Sequence, residues 1–357
     1  MQFMNRILIT GGAGFVGSNL AINLKNDFSS SEIIALDNLK RRGSEINLMR
    51  LNKGGVNFVH GDIRNKEDLE AVGAVDLIVD CSAEPSVLAG IKESPEYVVS
   101  TNLGGTLNTL EMARKNESSI IFLSTSRVYP IKTLRGIKCS ETESRFEILE
   151  KQLLTGVSSK GITENFPIEG VRSLYGATKL CSEIMMQEYL ETYDLKGVIN
   201  RCGVITGPWQ MGKVDQGVIA LWIARHLYGG KLKYIGYGGS GKQVRDALHI
   251  DDLYRLIKIQ IEDLKRHNKE IYNVGGGRDV SISLLELTQL CQKITGNTIK
   301  IDPVNEERIF DVPVYITDNS KVQKATGWKP NKSIEEIITD VSKWIIANKE
   351  LLEPVLN

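Results

Sequence analysis

The 357-residue chain lacks net charge: 44 Lys and Arg balance 44 Asp and Glu. It therefore offers no general field for a polyanion, which argues against nucleic acid as its main partner. It also lacks paired cysteines. Cys81, Cys139, Cys181, Cys202 and Cys291 are odd in number, scattered and without a C-x-x-C pair, so neither a disulfide framework nor a zinc site is indicated, and a reducing compartment fits. No run of 18 apolar residues occurs, and the opening "MQFMNRILIT" has no signal-like apolar core. The expectation is a soluble, cytoplasmic protein without a membrane partner. None of His60, His226, His249 and His267 stands at metal-ligand spacing, so no metal is expected. Internal repeats and low-complexity linkers are absent as well.

What is present is alternation. Over the first 200 residues, short β-branched runs alternate with longer stretches of helical periodicity, the pattern of an α/β fold with a doubly wound parallel sheet. Strands are expected near Arg6 to Thr10, Ile33 to Leu36, Val56 to His60, Leu77 to Cys81, Ser119 to Leu123 and Gly197 to Asn200. Leu103, Leu107 and Leu110 recur at helical spacing and read as core. Beyond Arg201, glycines and aromatics become frequent, which suggests a smaller C-terminal substrate-binding lobe. The division expected is 1–203 with 242–274 returning to it, against 204–241 and 275–357.

The first strand runs into "ITGGAGFVG", with Gly11, Gly14 and Gly17 spaced GxxGxxG ahead of a helical run. Glycine permits the tight turn and brings backbone N–H groups to a pyrophosphate at a helix N-terminus. With a strand before and a helix after, this is a Rossmann-type dinucleotide site. Asp37 lies 20 residues past Gly17, at the end of the next strand. It suits the two ribose hydroxyls and repels a 2′-phosphate, which favours NAD over NADP. Two readings stand for the following Lys40, Arg41 and Arg42: a phosphate-neutralising group or a solvated loop. "GDIR" puts Asp62 and Ile63 where an adenine ring lies at the carboxyl edge of such a sheet.

"YGATK" sets Tyr175 and Lys179 on one face of a helix. The ammonium favours the phenolate, which suits the tyrosine to accept a proton. "STSRVYP" ends a strand at the same edge, so the Ser124 and Thr125 hydroxyls are expected to face the nicotinamide and bond a reacting sugar hydroxyl.

Taken in order, "GGAGFVG", "DNL", "GDIR", "STSRVY", "YGATK", "GKQVRDALHIDD" and "YNVGGG" resemble the extended short-chain dehydrogenase/reductases, specifically their NAD-dependent nucleotide-sugar epimerases and dehydratases. The resemblance covers nearly the whole chain. It implies that Tyr175 is the base, that Lys179 binds the nicotinamide ribose, and that Ser124 or Thr125 assists. It also puts Phe15, Val16, Asn38, Ser82, Ala83 and Asn102 among the cofactor contacts. A homodimer or homotetramer through helices near Leu103 and Tyr175 is implied too.

"GDIRN", "CSETESR", "VDQG" and "GKQVRDALH" are similar to the branch that inverts C2 of CDP-linked 3,6-dideoxyhexoses, so a CDP-sugar is the favoured nucleoside-diphosphate sugar. Arg245 and Arg308 are then expected to clamp its phosphates. Arg201, Gln210 and Gln216 are the other expected substrate contacts. Trp209 and Asp215 line the nucleotide pocket on one reading; on the other, this is a structural turn with a buried Trp. Glu84 reads either as a contact to a sugar hydroxyl or as a structural carboxylate. Dehydratases of the family typically carry "TDEVYG" where this chain has "TSRVYP", so Ser126 and Arg127 supply neither carboxylate. A nucleotide-sugar reductase and a non-catalytic NAD-binding protein are the remaining alternatives.

Overall fold

The computed structural model describes residues 4–212 and 216–356. The chain divides into two compact units, residues 1–128, 173–201 and 254–272 forming the first and 129–172, 202–253 and 273–357 the second. The division is more interleaved than the expected one. Residues 129–172 and 242–253 belong to the second unit, because the segment after Val128 builds its hairpins there instead of returning directly to the sheet.

The first unit is built on five strands, β1 (Arg6–Thr10), β2 (Glu32–Asp37), β3 (Asn57–His60), β4 (Leu77–Asp80) and β5 (Ser119–Thr125). With Gly197–Cys202 and Glu270–Val274 they form a seven-stranded sheet, which runs from Glu270–Val274 through Gly197–Cys202, β5, β4, β1 and β2 to β3. The four pairings within β1–β5 are parallel. The order reverses between β1 and β4, and such a switch point opens a crevice beyond the carboxyl ends of the strands. Away from their ends these strands are apolar, as parallel strands covered on both faces must be.

One face is a continuous core. Leu8, Ile34, Leu36, Ile78, Ile120, Phe122 and Ile199 meet Leu69, Leu110, Ala113, Met186 and Leu190 from the helices Lys66–Val72, Gly105–Asn116 and Leu174–Thr192. Of the three leucines expected in that core, only Leu110 is fully buried, while Leu107 is 39% exposed. The buried stripe of its helix runs through Thr106, Thr109, Leu110 and Ala113, which turns Leu107 outward.

In the second unit, Val244–His249 pairs in parallel with Val204–Thr206 and Val314–Tyr315, and antiparallel with Ser281–Ser283. The helices Val218–Tyr228, Leu284–Thr295 and Ile334–Ala347 pack together beside it. Two of them begin with reciprocal caps, Ser283 with Glu286 and Ser333 with Glu336. Each cap satisfies two otherwise orphaned N–H donors and fixes where its helix starts.

Candidate active site

The glycine turn follows β1 as expected. A Cβ on Gly17 would lie 2.2 Å from the Gly11 carbonyl oxygen, so only glycine lets the helix Phe15–Asp27 start this close to the strand. Gly14 caps that helix without a side-chain hydrogen bond, and a helix start of this kind is suited to an anion. Asp37 braces the turn: Oδ2 accepts from the Ala13 N–H at 3.1 Å and Oδ1 from the Leu39 N–H at 2.8 Å. Burial pushes its carboxyl up, and the N–H groups of Leu39, Ala13 and Gly14 pull it back only in part.

Three further groups hold the turn, and sequence reasoning did not find them. The buried Thr10 hydroxyl donates to Asp80 Oδ1 at 2.6 Å, and the Ser82 N–H donates to the same oxygen at 3.1 Å, which ties the ends of β1 and β4 together. Asn47 Nδ2 donates to the Ala13 carbonyl at 2.9 Å. Arg50 donates to Asn47 Oδ1 at 2.7 Å and Asn19 Oδ1 at 3.0 Å, and burial brings its guanidinium down to about 10.

At the expected adenine end, Asp62 accepts from Asn38 Nδ2 at 2.9 Å and from Arg64 Nη2 at 2.7 Å. Arg64 and Lys40 both lie over the ring of Tyr97, with Lys40 Nζ 3.5 Å from its centroid. Lys40, exposed in its loop, thus covers an aromatic face. The Ile63 side chain is a core residue, packed where a Cβ on Gly105 would meet it at 2.3 Å. Asn102 is likewise buried: it accepts from the Glu84 N–H at 2.7 Å and donates to the Glu84 carbonyl at 3.2 Å and to Thr178 Oγ1 at 3.0 Å. It acts by fixing the loop that carries Ser82, Ala83 and Glu84. The Glu84 carboxylate accepts from the Ser86 N–H at 3.1 Å.

Tyr175 and Lys179 sit in the first turns of Leu174–Thr192, whose start is capped by Ser173 Oγ accepting from the Gly176 N–H at 3.2 Å. Tyr175 is half-buried. Lys179 is buried, its Nζ 3.8 Å from the Phe122 ring centroid. At the end of β5 the two hydroxyls part company. Thr125 Oγ1 accepts from the Arg127 N–H at 3.2 Å, whereas the Ser124 hydroxyl donates to Glu183 Oε1. Glu183 also takes Arg201, at 2.7 Å from Nη2 and 3.0 Å from Nε, and is wholly buried. Ser124 and Arg201, both expected beside a ligand, thus meet on one buried carboxylate within the first unit.

In the second unit, Gln210 is spent locally, donating to the Ile205 carbonyl at 2.9 Å and accepting from Thr206 Oγ1 at 2.9 Å. The Trp209 ring, half-buried, lies 5.6 Å from that of Trp344. Gln216 is described, but Asp215 lies outside the described residues. Arg245 donates to Asp311 Oδ1 at 2.6 Å and to the Val312 carbonyl at 2.8 Å. Arg135 donates to the carbonyls of Asp311 at 2.9 Å and Arg308 at 3.3 Å, so two arginines hold the segment that presents Arg308. Neither Arg135 nor Asp311 has a motif that marks it. Among the described residues, no group of three His, Cys, Asp or Glu is arranged to hold a metal ion, and no helix is long and apolar enough to cross a membrane.

Comparison with known proteins gives a consistent picture. Residues 7–275 match the model of the NAD dependent epimerase/dehydratase family. The chain is 32% identical to CDP-paratose 2-epimerase of Salmonella typhi, covering 95% of this chain and 98% of that one. It is 26% identical to dTDP-glucose 4,6-dehydratase of Salmonella typhimurium, covering 98% and 95% respectively. Among solved structures, the UDP-glucose 4-epimerase of Thermus thermophilus in complex with NAD superposes with a TM-score of 0.76 at 26% identity, over 96% of this chain and 99% of that one.

The Asp62 geometry carries a pH prediction. Burial alone would raise this carboxyl, but the hydrogen bonds from Arg64 and Asn38 outweigh it and hold it at about 2, below the ordinary 3.8. A depressed folded-state value contributes stability above the unfolded value and loses it as the pH falls through the folded one. The melting temperature of Asp62→Asn should therefore trail wild type most above about pH 4, with the gap closing towards about pH 2. A gap that stays constant over that range would contradict the assignment.

Proposed function

The chain belongs to the NAD dependent epimerase/dehydratase family, and from that premise we propose that it is a nucleotide-sugar epimerase inverting C2 of a CDP-linked 3,6-dideoxyhexose, interconverting CDP-paratose and CDP-tyvelose. The observation that carries this reading is the likeness to CDP-paratose 2-epimerase over almost the full length of both chains. It is supported by Ser126 and Arg127, which follow Thr125 and bring no carboxylate for the elimination of water that a dehydratase performs.

The chain's residues fit the family's cofactor. The N–H groups at the Gly14-capped helix start would receive the pyrophosphate, and Asp37 would receive the adenine ribose hydroxyls. When bound, NAD supplies reversible acceptance of a hydride from the sugar carbon. Tyr175 accepts the proton of the C2 hydroxyl, and the Lys179 ammonium one helical turn away favours the phenolate that does so. Thr125 donates a hydrogen bond that holds the C2 oxygen during this transfer. The 2-ketosugar that results is flat at C2, and turning it presents the opposite face. The hydride would return to that face of C2 as Tyr175 gives the proton back to the same oxygen, so the reaction ends with no net redox change. Arg245 and Arg308 serve the pyrophosphate, arginine being suited to bidentate recognition.

Incubation of the purified protein with CDP-paratose, UDP-glucose and dTDP-glucose in separate reactions, without added NAD, should give product from CDP-paratose alone. Turnover confined to a UDP- or dTDP-sugar would contradict the substrate assignment. Tyr175→Phe should lower kcat by about 10²- to 10⁴-fold, the usual contribution of a general acid–base group. The NAD released on denaturation of that variant should match wild type. A variant within a few-fold of wild-type activity would remove Tyr175 from the mechanism.

A further inference from the structure

Side chains along a strand alternate between the two faces of the sheet. On β5, Ile120 and Phe122 belong to the core cluster that includes Met186 and Leu190 of the helix Leu174–Thr192. Ser124 continues that row, and its hydroxyl reaches Glu183 on the same helix. On the neighbouring strand Gly197–Cys202, Ile199 belongs to the same cluster, and Arg201 continues its row to the same carboxylate. Glu183 thus stands where the ends of two strand rows meet, one helical turn beyond Lys179 and two beyond Tyr175. Its side chain is wholly buried and both its oxygens are engaged.

Thr125 is the next residue after Ser124, so fixing Ser124 against the helix decides which way Thr125 turns. We propose that Glu183 is a positioning residue of the reaction centre: by holding Ser124 and Arg201, it sets the end of β5, and with it Thr125, against the helix that carries Tyr175 and Lys179. The inference rests on the epimerase reading for its catalytic consequence, while its structural half is open to test without substrate. An error of about 1 Å between a hydroxyl that binds the reacting oxygen and the base that deprotonates it is enough to cost about 10²-fold in rate. The contact made here is of that kind, since it controls relative placement and touches no reacting atom.

The test uses the NAD-loaded full chain with Ser124→Ala, which removes only the β5 arm, and Glu183→Gln, which keeps the side chain's length and removes its charge. Amide hydrogen exchange should quicken in residues 123–128 and 174–183 of both variants and stay at wild-type rates in β1 and β2. With CDP-paratose, kcat should fall by about tenfold or more while KM and the bound NAD stay within twofold. Exchange unchanged in those segments would overturn the proposal, and so would exchange quickened equally in β1 and β2, which marks a general loss of stability. Local loosening with wild-type kcat would overturn it as well. If wild type turns over no nucleotide sugar, the epimerase reading fails on its own. The exchange result then still decides: local quickening sustains the positioning role and its absence removes it.

Discussion

A buried carboxylate with both its oxygens engaged is the constraint on which the first unit depends. Taking Glu183 and Arg201 out of water is costly, and such a pair is tolerated only where further hydrogen bonds complete it. The Ser124 hydroxyl supplies that completion. The result is a three-way joint between β5, the strand Gly197–Cys202 and the helix that carries Tyr175 and Lys179. Apolar packing of Phe122, Met186 and Ile199 holds the same elements together without direction, whereas the joint adds direction.

The dinucleotide end follows a similar logic with different parts. In the proposed reading its ligand-facing groups are backbone N–H donors, which carry no specificity of their own and must be placed by others. Asp37 braces the glycine turn from β2, and Thr10 with Asp80 locks the ends of the two strands that flank the switch point. Asn102 does the same for the loop after β4. In each case a polar side chain satisfies backbone groups that the crevice would otherwise leave unpaired, and the crevice keeps its shape.

Much of this was legible in the sequence, and the limit has a physical basis. Strand positions, the glycine turn, Asp37 and the Tyr175–Lys179 pair are local signals, set by periodicity, φ requirements and spacing on one helix. The role of Ser124 was not legible, because its partner lies 59 residues away and a strand-end serine looks the same whether it faces a ligand or a helix. The Arg201 contact was hidden for the same reason: an arginine's spacing does not announce a carboxylate on another element. Ile63 shows the converse case, since a motif position at the sheet edge was assigned to a ligand while the side chain fills the gap that Gly105 leaves. Arg135 and Asp311 belong to no pattern and emerged only from the fold.

The proposed chemistry makes one demand: the hydrogen removed from the inverted carbon must return to that carbon, while the cofactor ends as it began. CDP-paratose carrying deuterium at C2, incubated with the purified protein and no added cofactor, tests this directly by mass and NMR analysis of the product. The account predicts the C2 epimer with deuterium retained at C2. An epimer that has exchanged its label for solvent hydrogen would contradict it, because inversion would then proceed by deprotonation beside a carbonyl formed elsewhere on the ring.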